Sequence, residues 1–256
     1  MAVHDFNAQR LFLDQTLASG TRVRLDAEQI NYLVNVLRLR PGQTIHVFNG
    51  RDGEWRARLD VTGKRSAELV AEENVRAQEG GPDLDYLFAP LKRSRLDYMV
   101  QKAVEMGVAR LVPVLTRHTV AERINLERMR ANAIEAAEQC GILRVPSIVE
   151  PSKLEQTLAQ WPSDRALVFC DEGADMRSPI DALQAAMAES VAAAWGQPPR
   201  LAVLIGPEGG FAADERRRIL ALPQVIRLSL GPRILRADTA AVAVLALVNA
   251  SAGDWR

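Results

Sequence analysis

The hydrophobic rhythm of the chain changes once, shortly after residue 72. Ahead of that point apolar positions come in short alternating runs. Arg10–Leu13 and Thr21–Leu25 read as strands, with Ser19 and Gly20 turning between them. Asp26 opens a helix with Gln29 as its capping-box partner, and Ile30, Leu33, Val34 and Leu37 follow at helical spacing until Pro41 and Gly42 stop it. Thr44–Phe48, Glu54–Val61 and Arg65–Ala71 alternate again, split by Asn49–Gly53 and Thr62–Lys64, which are hairpin signals. One short helix among strands and tight turns predicts a small β-barrel-like domain of about 70 residues, near the lower limit of independent folding. Glu72–Asp83 is polar and glycine-bearing and reads as a linker. The expected division is residues 1–72, a linker at 73–83, and a second domain at 84–256.

Beyond the linker, largely apolar strands alternate with amphipathic helices. Leu84–Ala89, Leu111–Leu115, Arg165–Cys170, Leu201–Ile205 and Val225–Ser229 all have strand length. Ser94 opens a helix with Leu96, Met99, Val100, Ala103 and Val104 on one face and Gly107 as its cap. Leu126, Met129, Ala133, Ile134 and Ala137 stripe the next, which Gly141 ends. Ser152 and Glu155 form a capping box for a shorter helix, and Ser178 and Pro179 open one that runs through Leu183, Met187 and Val191. Strands alternating with helices imply an α/β domain, a mostly parallel sheet with helices on both faces. The closing segment, Ala240–Ala250, is apolar on almost every side and too short to span a bilayer. It is therefore expected to be buried all round, beneath another segment or in a dimer interface.

Two of these strands empty into glycine loops: Gly206–Gly210 (GPEGG) after the first, Leu230–Arg236 (LGPRILR) after the second. In a parallel sheet such loops share one edge, where ligands bind. Glycine permits close backbone approach to a small molecule, although the same dipeptides also serve as plain turns. Neither loop is a P-loop or a dinucleotide fingerprint. The residues by themselves point to tight turns or to a small-molecule pocket of unnamed type.

Composition changes this picture little: 48% hydrophobic and 25% charged residues describe an ordinary globular protein. No apolar run approaches the roughly 18 residues of a spanning helix, and Met1–Arg10 is too polar for a signal peptide, so a cytoplasmic protein without a membrane partner is expected. Cys140 and Cys170 make no disulfide framework, and His4, His46 and His118 lack ligand spacing, so no metal is expected. Thirty-two basic residues balance 32 acidic ones, which by itself argues against nucleic acid. The charge is uneven, however. Lys92, Arg93, Arg95, Lys102 and Arg110 lie together, and Asp171, Glu172, Asp175 and Asp181 form an acidic patch. A zero sum can hide a basic face, and such clusters are also ordinary solvated surface.

LIGPEGGF followed by LSLGPRILRADTA resembles the paired signature of the SPOUT methyltransferases, and most closely the RsmE family. YLVNVLRLRPG with VFNGRDGEW is similar to that family's PUA-like RNA-binding half. LFAPLKRSRLDYMVQKAVEMGVARLVPV and AAEQCGILRVP match the start of its catalytic domain, so the similarity covers essentially the whole chain. The resemblance implies a trefoil-knotted α/β domain behind a PUA-like domain, a homodimer, and methylation of N3 of a uridine in small-subunit (16S) ribosomal RNA with S-adenosylmethionine as cofactor. Two departures stand out. Ala237 and Asp238 occupy places where the family usually has Thr and Glu, and Ile142 stands where it commonly has an arginine.

By the same resemblance, Gly206, Gly210, Leu230 and Gly231 offer backbone groups to the cofactor, Ile234 and Leu235 meet its adenine, and Cys170, Glu208 and Arg236 border it. The uracil N3 must lose a proton before it can attack, so the site needs a proton acceptor or a positive environment. Arg236, with Arg233, is the candidate charge; Glu208 and Asp238 are the carboxylates within the motifs. Arg236 could instead pair with Asp238, Asp238 could cap the last helix, and Glu208 could only order its loop. Arg38, Arg40, Lys92, Arg93 and Arg95 are the candidates for RNA phosphates. Another SPOUT specificity, ribose 2′-O or guanine, and a non-catalytic RNA-binding assembly factor remain the alternatives. Free RNA and an assembled ribosomal subunit are both open as the substrate.

Overall fold

The computed structural model describes residues 8–63, 66–120, 123–174, 178–188 and 200–255; His4, Asp175 and Val191 lie outside the described residues. The chain divides into two compact units. The first is Met1–Gly80 with Ala137–Val145, the second Gly81–Ala136 with Pro146–Arg256.

In the first unit β1 (Arg10–Phe12), β2 (Arg22–Arg24), β3 (Thr44–Phe48), β4 (Glu54–Gly63) and β5 (Ser66–Arg76) form one sheet in the order β1-β3-β4-β5-β2. Only the β1–β3 pairing is parallel; the others are antiparallel. Alternate residues of these strands, among them Leu11, Val23, Val47, Leu59 and Leu69, meet in one core with Leu33. The helix over that core begins as expected: Asp26 accepts from the Gln29 N–H at 2.8 Å and Gln29 accepts from the Asp26 N–H at 3.1 Å. α1 (Ala27–Ile30) then widens into a π-helical stretch, Asn31–Val36, with Leu37 donating to the Tyr32 carbonyl. Arg38 turns the chain away with φ 57°, so the helix stops before Pro41 and Gly42 are reached. The polar run expected as linker begins inside the sheet, because β5 continues through Arg76 with bulges against β4. Arg10 and Glu54, both buried, pair at 2.6 Å, and Arg10 also donates to the carbonyls of Ala137, Glu138 and Ile142.

The second unit is built on a parallel sheet in the order β12-β10-β11-β6-β7-β8, with β9 also pairing β7. Its strands are β6 (Leu84–Phe88), β7 (Arg110–Leu115), β8 (Ser147–Ile148), β9 (Ser152–Lys153), β10 (Arg165–Cys170), β11 (Arg200–Ile205) and β12 (Val225–Leu228). The helices are α2 (Arg93–Glu105), α3 (Leu126–Gln139), α4 (Leu154–Ala159), α5 (Pro179–Ala188), α6 (Ala213–Leu220) and α7 (Ala237–Ala252). Leu154, Leu158 and Ile219 from α4 and α6 cover one face of the sheet, over Leu87, Leu167, Phe169 and Leu204. α7 packs on β11, α2 and α5 on the other. The chain leaves β11, passes to β12 beyond β10, and returns to place α7 against β11.

Three expected helix starts are corrected. Lys92, not Ser94, is the N-cap of α2, and Lys153 is the N-cap of α4; neither makes a side-chain capping bond. Ser152 instead belongs to β9 and bonds Thr157, while Glu155 pairs with Arg218. The third is Asp238. The N-cap of α7 is Arg236, so Asp238 already lies in the first turn and accepts only from the neighbouring Thr239 N–H, at 2.9 Å. α7 is not buried all round within one chain. Ala240, Ala241, Val244, Leu245 and Val248 are buried, while Val242, Ala243, Ala246 and Leu247 on the opposite side are half-buried. Among the described residues no helix is long and apolar enough to cross a membrane.

Candidate functional site

The carboxyl ends of β10, β11 and β12 open into one cavity of about 580 Å³, a size suited to a small molecule. β10 contributes Phe169 and Cys170 and then the turn Asp171–Gly173; β11 contributes Ile205 and the loop from Gly206 to Phe211. The loop after β12 lines it from Ser229 to Arg236, and Ala237 and Ala240 of α7 complete the wall. Phe169 and Phe211 meet edge to face with centroids 5.4 Å apart.

The glycines have physical reasons. A Cβ at Gly206 would lie 2.5 Å from the Phe211 ring, so the loop can fold back on itself only without a side chain. Gly210 and Gly231 adopt φ 69° and 99°, and a Cβ on either would meet nothing within 4 Å. Both loops thus leave open space where side chains would otherwise stand. That is the cradle a bound small molecule requires.

Three sets of contacts hold the walls of the cavity. The buried Asp171 carboxylate receives Arg216 from α6, at 2.8 Å, and Arg227 from β12, while Arg227 also donates to the Gly173 carbonyl. Burial alone would raise the Asp171 pKa. Hydrogen bonds from Arg216, Arg227 and the Gly173 N–H overcome it and hold the carboxyl below its ordinary range. Arg95 of α2 pairs with Glu208 at 2.6 Å. His118 Nδ1 lies 3.2 Å from the Gly209 carbonyl and 3.0 Å from that of Gly210. On the inner wall burial pushes the Cys170 thiol up to about 12, so it lines the cavity as a neutral group. Tyr86, fully buried, is raised well above its usual value by burial first of all.

The expected cofactor residues Cys170, Gly206, Glu208, Gly210, Leu230, Gly231, Ile234, Leu235 and Arg236 all line the one cavity. Arg233 and Arg236 are exposed at its rim, and among the described residues neither makes an ion pair. The alternative in which Arg236 pairs with Asp238 is therefore absent. The expected RNA contacts are spread over both units: Arg38 and Arg40 are exposed in the first, and Lys92 is exposed at the start of α2, followed by Arg93. Arg95 is engaged by Glu208. Asp171, expected in a free acidic patch, is neutralised by two arginines; these, with His118, Phe169 and Phe211, are the site residues that sequence reasoning missed. The partners of Asp171 and His118 lie 45 to 92 residues away along the chain, so no local pattern marks them.

A parallel α/β sheet with a glycine-walled cavity at its carboxyl edge, preceded by a small β-rich unit, matches known protein families in both halves. The model of an RNA methyltransferase domain matches residues 79–249, and that of an RNA methyltransferase PUA domain matches residues 25–72. Together they define the class: an RNA methyltransferase with an N-terminal PUA domain. Ribosomal RNA small subunit methyltransferase E of a Synechocystis species is 31% identical over 95% of this chain and 78% of its own length. The same-named protein of Neisseria gonorrhoeae, solved bound to S-adenosyl methionine, is 26% identical and covers 98% of this chain and 100% of its own, with a TM-score of 0.78. A putative methyltransferase of Legionella pneumophila, solved with the cofactor SAM, is 26% identical over 97% of this chain and 99% of its own, with a TM-score of 0.80. The chain belongs to the ribosomal RNA small subunit methyltransferase E family.

Proposed function

We propose that this protein transfers a methyl group from S-adenosylmethionine to N3 of a uridine in small-subunit ribosomal RNA. One observation carries the reading: both glycine loops and two unpaired rim arginines converge on a single cavity at the carboxyl edge of the sheet. The cofactor-bound relatives support placing S-adenosylmethionine there. The residues present fit it: backbone of Gly206, Gly210, Leu230 and Gly231 faces the cavity beside apolar Phe169, Ile205 and Leu235. When bound, the cofactor supplies an electrophilic methyl group on a positively charged sulfur.

The chain's own contribution is positioning and charge. An in-line displacement is governed by the alignment of nucleophile, carbon and leaving group, which the clamped loops fix in advance. Arg236 and Arg233 bring guanidinium charge to the rim, suited to the carbonyl oxygens of a uracil that has lost its N3 proton. Asp238, in the first turn of α7, makes no ion pair among the described residues and is the candidate acceptor for the proton. Glu208, held by Arg95, orders its loop. Arg38, Arg40, Lys92 and Arg93 serve RNA phosphates, and the target base is flipped into the cavity. The protein acts in the cytoplasm as a homodimer, with the half-buried side of α7 as the interface.

The test supplies S-adenosylmethionine with either naked 16S RNA or assembled small subunits lacking the modification, then digests the RNA to nucleosides. The expected product is 3-methyluridine. Methyl groups on ribose or guanine, or none with either substrate, overturn the assignment. Leu247→Glu in α7 is expected to give monomers on sizing, against a dimeric parent.

A further inference from the structure

We propose that His118 is a positioning residue for the Gly206–Gly210 loop, and through it for the cofactor. The inference rests on the reading that this loop binds S-adenosylmethionine. His118 sits in the Thr116–Thr119 turn, closed by the Thr119 N–H on the Thr116 carbonyl at 3.1 Å and by the Thr116 N–H on Thr119 Oγ1 at 2.8 Å. The turn is fastened to α6, since the Arg117 N–H donates to Glu215 at 2.8 Å and its guanidinium pairs with Asp214 at 2.8 Å. From this fixed base His118 Nδ1 reaches the carbonyls of both Gly209 and Gly210. Carbonyls only accept, so Nδ1 carries the proton. A planar peptide points its C=O and N–H in opposite directions, so pinning two successive carbonyls also sets the N–H groups of Gly210 and Phe211. The Gly210 N–H bonds the Pro207 carbonyl at 2.9 Å, and Phe211 lines the cavity.

A second observation fits the same role. Gly209 does not have the positive φ of Gly210, so conformation does not demand a glycine there. A Cβ at Gly209 would instead lie 3.3 Å from the His118 Cβ. The missing side chain leaves room for the His118 side chain, whose Cβ is the nearest atom.

The test is calorimetric titration of the full-length protein with S-adenosylmethionine. His118→Ala is expected to weaken binding about tenfold, the size of one good hydrogen bond. Asn, whose amide nitrogen falls near Nδ1, should restore binding to within about threefold, while Gln, which reaches toward Nε2, should not. Gly209→Ala, which brings a Cβ against that of His118, should also weaken binding in the parent. Parent-like binding by His118→Ala, or rescue by Gln as complete as by Asn, overturns the proposal. Hydrogen exchange of the cofactor-free protein separates the two readings: the Gly210 N–H should lose protection in His118→Ala and keep it in His118→Asn. If that pattern holds while the parent binds no S-adenosylmethionine, the cofactor assignment falls and the loop contact stands. If Gly210 is equally protected in both variants, the contact does not position the loop.

Discussion

The two edges of the parallel sheet handle charge in opposite ways. At the amino edge carboxylates and guanidiniums are joined in one network. Asp83 holds Arg165 at 2.7 Å and Arg200 at 2.9 Å, the buried Asp85 holds Arg110 and Arg165, and Asp164 holds Arg200. At the carboxyl edge one buried carboxylate, Asp171, gathers Arg216 and Arg227, while Arg233 and Arg236 stand at the cavity rim without ion pairs among the described residues. A paired charge is spent on the fold. An unpaired one, held beside an open cavity, remains available to a ligand.

The largest effect should come from breaking the amino edge. Asp85→Asn leaves the buried Arg165 guanidinium one carboxylate short and is expected to cost about 3 kcal/mol of stability, read as a lower urea midpoint. Cofactor affinity of the folded protein should hardly change, because the cavity is at the other end of the strands. Equal loss of affinity and stability would end the distinction between the edges.

Arg236→Ala should show the reverse. Stability should stay within about 0.5 kcal/mol of the parent, as for an exposed unpaired residue. The methyl-transfer rate should fall roughly 100- to 1000-fold, with cofactor binding much less affected. Arg236→Lys should recover part of the rate. Asp238→Asn is the companion measurement, and because Asp238 is no cap, its effect reports on proton transfer rather than on helix stability. If that variant is dead while Arg236→Ala turns over normally, the chemistry belongs to the carboxylate.

Acid should act on both edges together, with smaller effect. Asp83, like Asp171, is held below the ordinary carboxylate range: burial would raise it, but hydrogen bonds from Arg165 and Arg200 prevail. A depressed native pKa gives stability that is complete above the unfolded value of about 4 and lost as pH falls through the native one. Stability should therefore be flat from pH 7 to about 5 and decline below that. In the first unit Glu54 follows the same sign. Its burial is opposed by His46, Arg10 and Arg76, which hold it down to about 2. A decline that begins near neutral pH would show that other groups control acid unfolding.

Much of this architecture was legible in the sequence. The cavity was foreshadowed because each half of it is local: a strand that empties directly into its own glycine loop. The caps were less legible. Ser94 and Ser152 have the right chemistry for N-caps, yet Lys92 and Lys153 take those positions without a side-chain bond. Hydroxyl chemistry marks a permitted cap, and the tertiary path of the chain chooses among permitted starts. The π-helical stretch after Ile30 left no signal, because widening a helix by one residue moves no apolar position out of a plausible stripe. The Asp171 cluster and the His118 contact are long-range pairings, which only the assembled sheet brings together.

The carbonyls that Arg10 holds, at Ala137, Glu138 and Ile142, belong to chain made long after β5 ends at Arg76. On a ribosome adding about 5–20 residues each second, several seconds separate the last strand of the first unit from the segment that completes it. During that interval the Arg10 guanidinium has Glu54 and the Phe48 ring but none of those carbonyls. The N-terminal unit is thus finished by synthesis of the domain that follows it, and the two mature on one schedule.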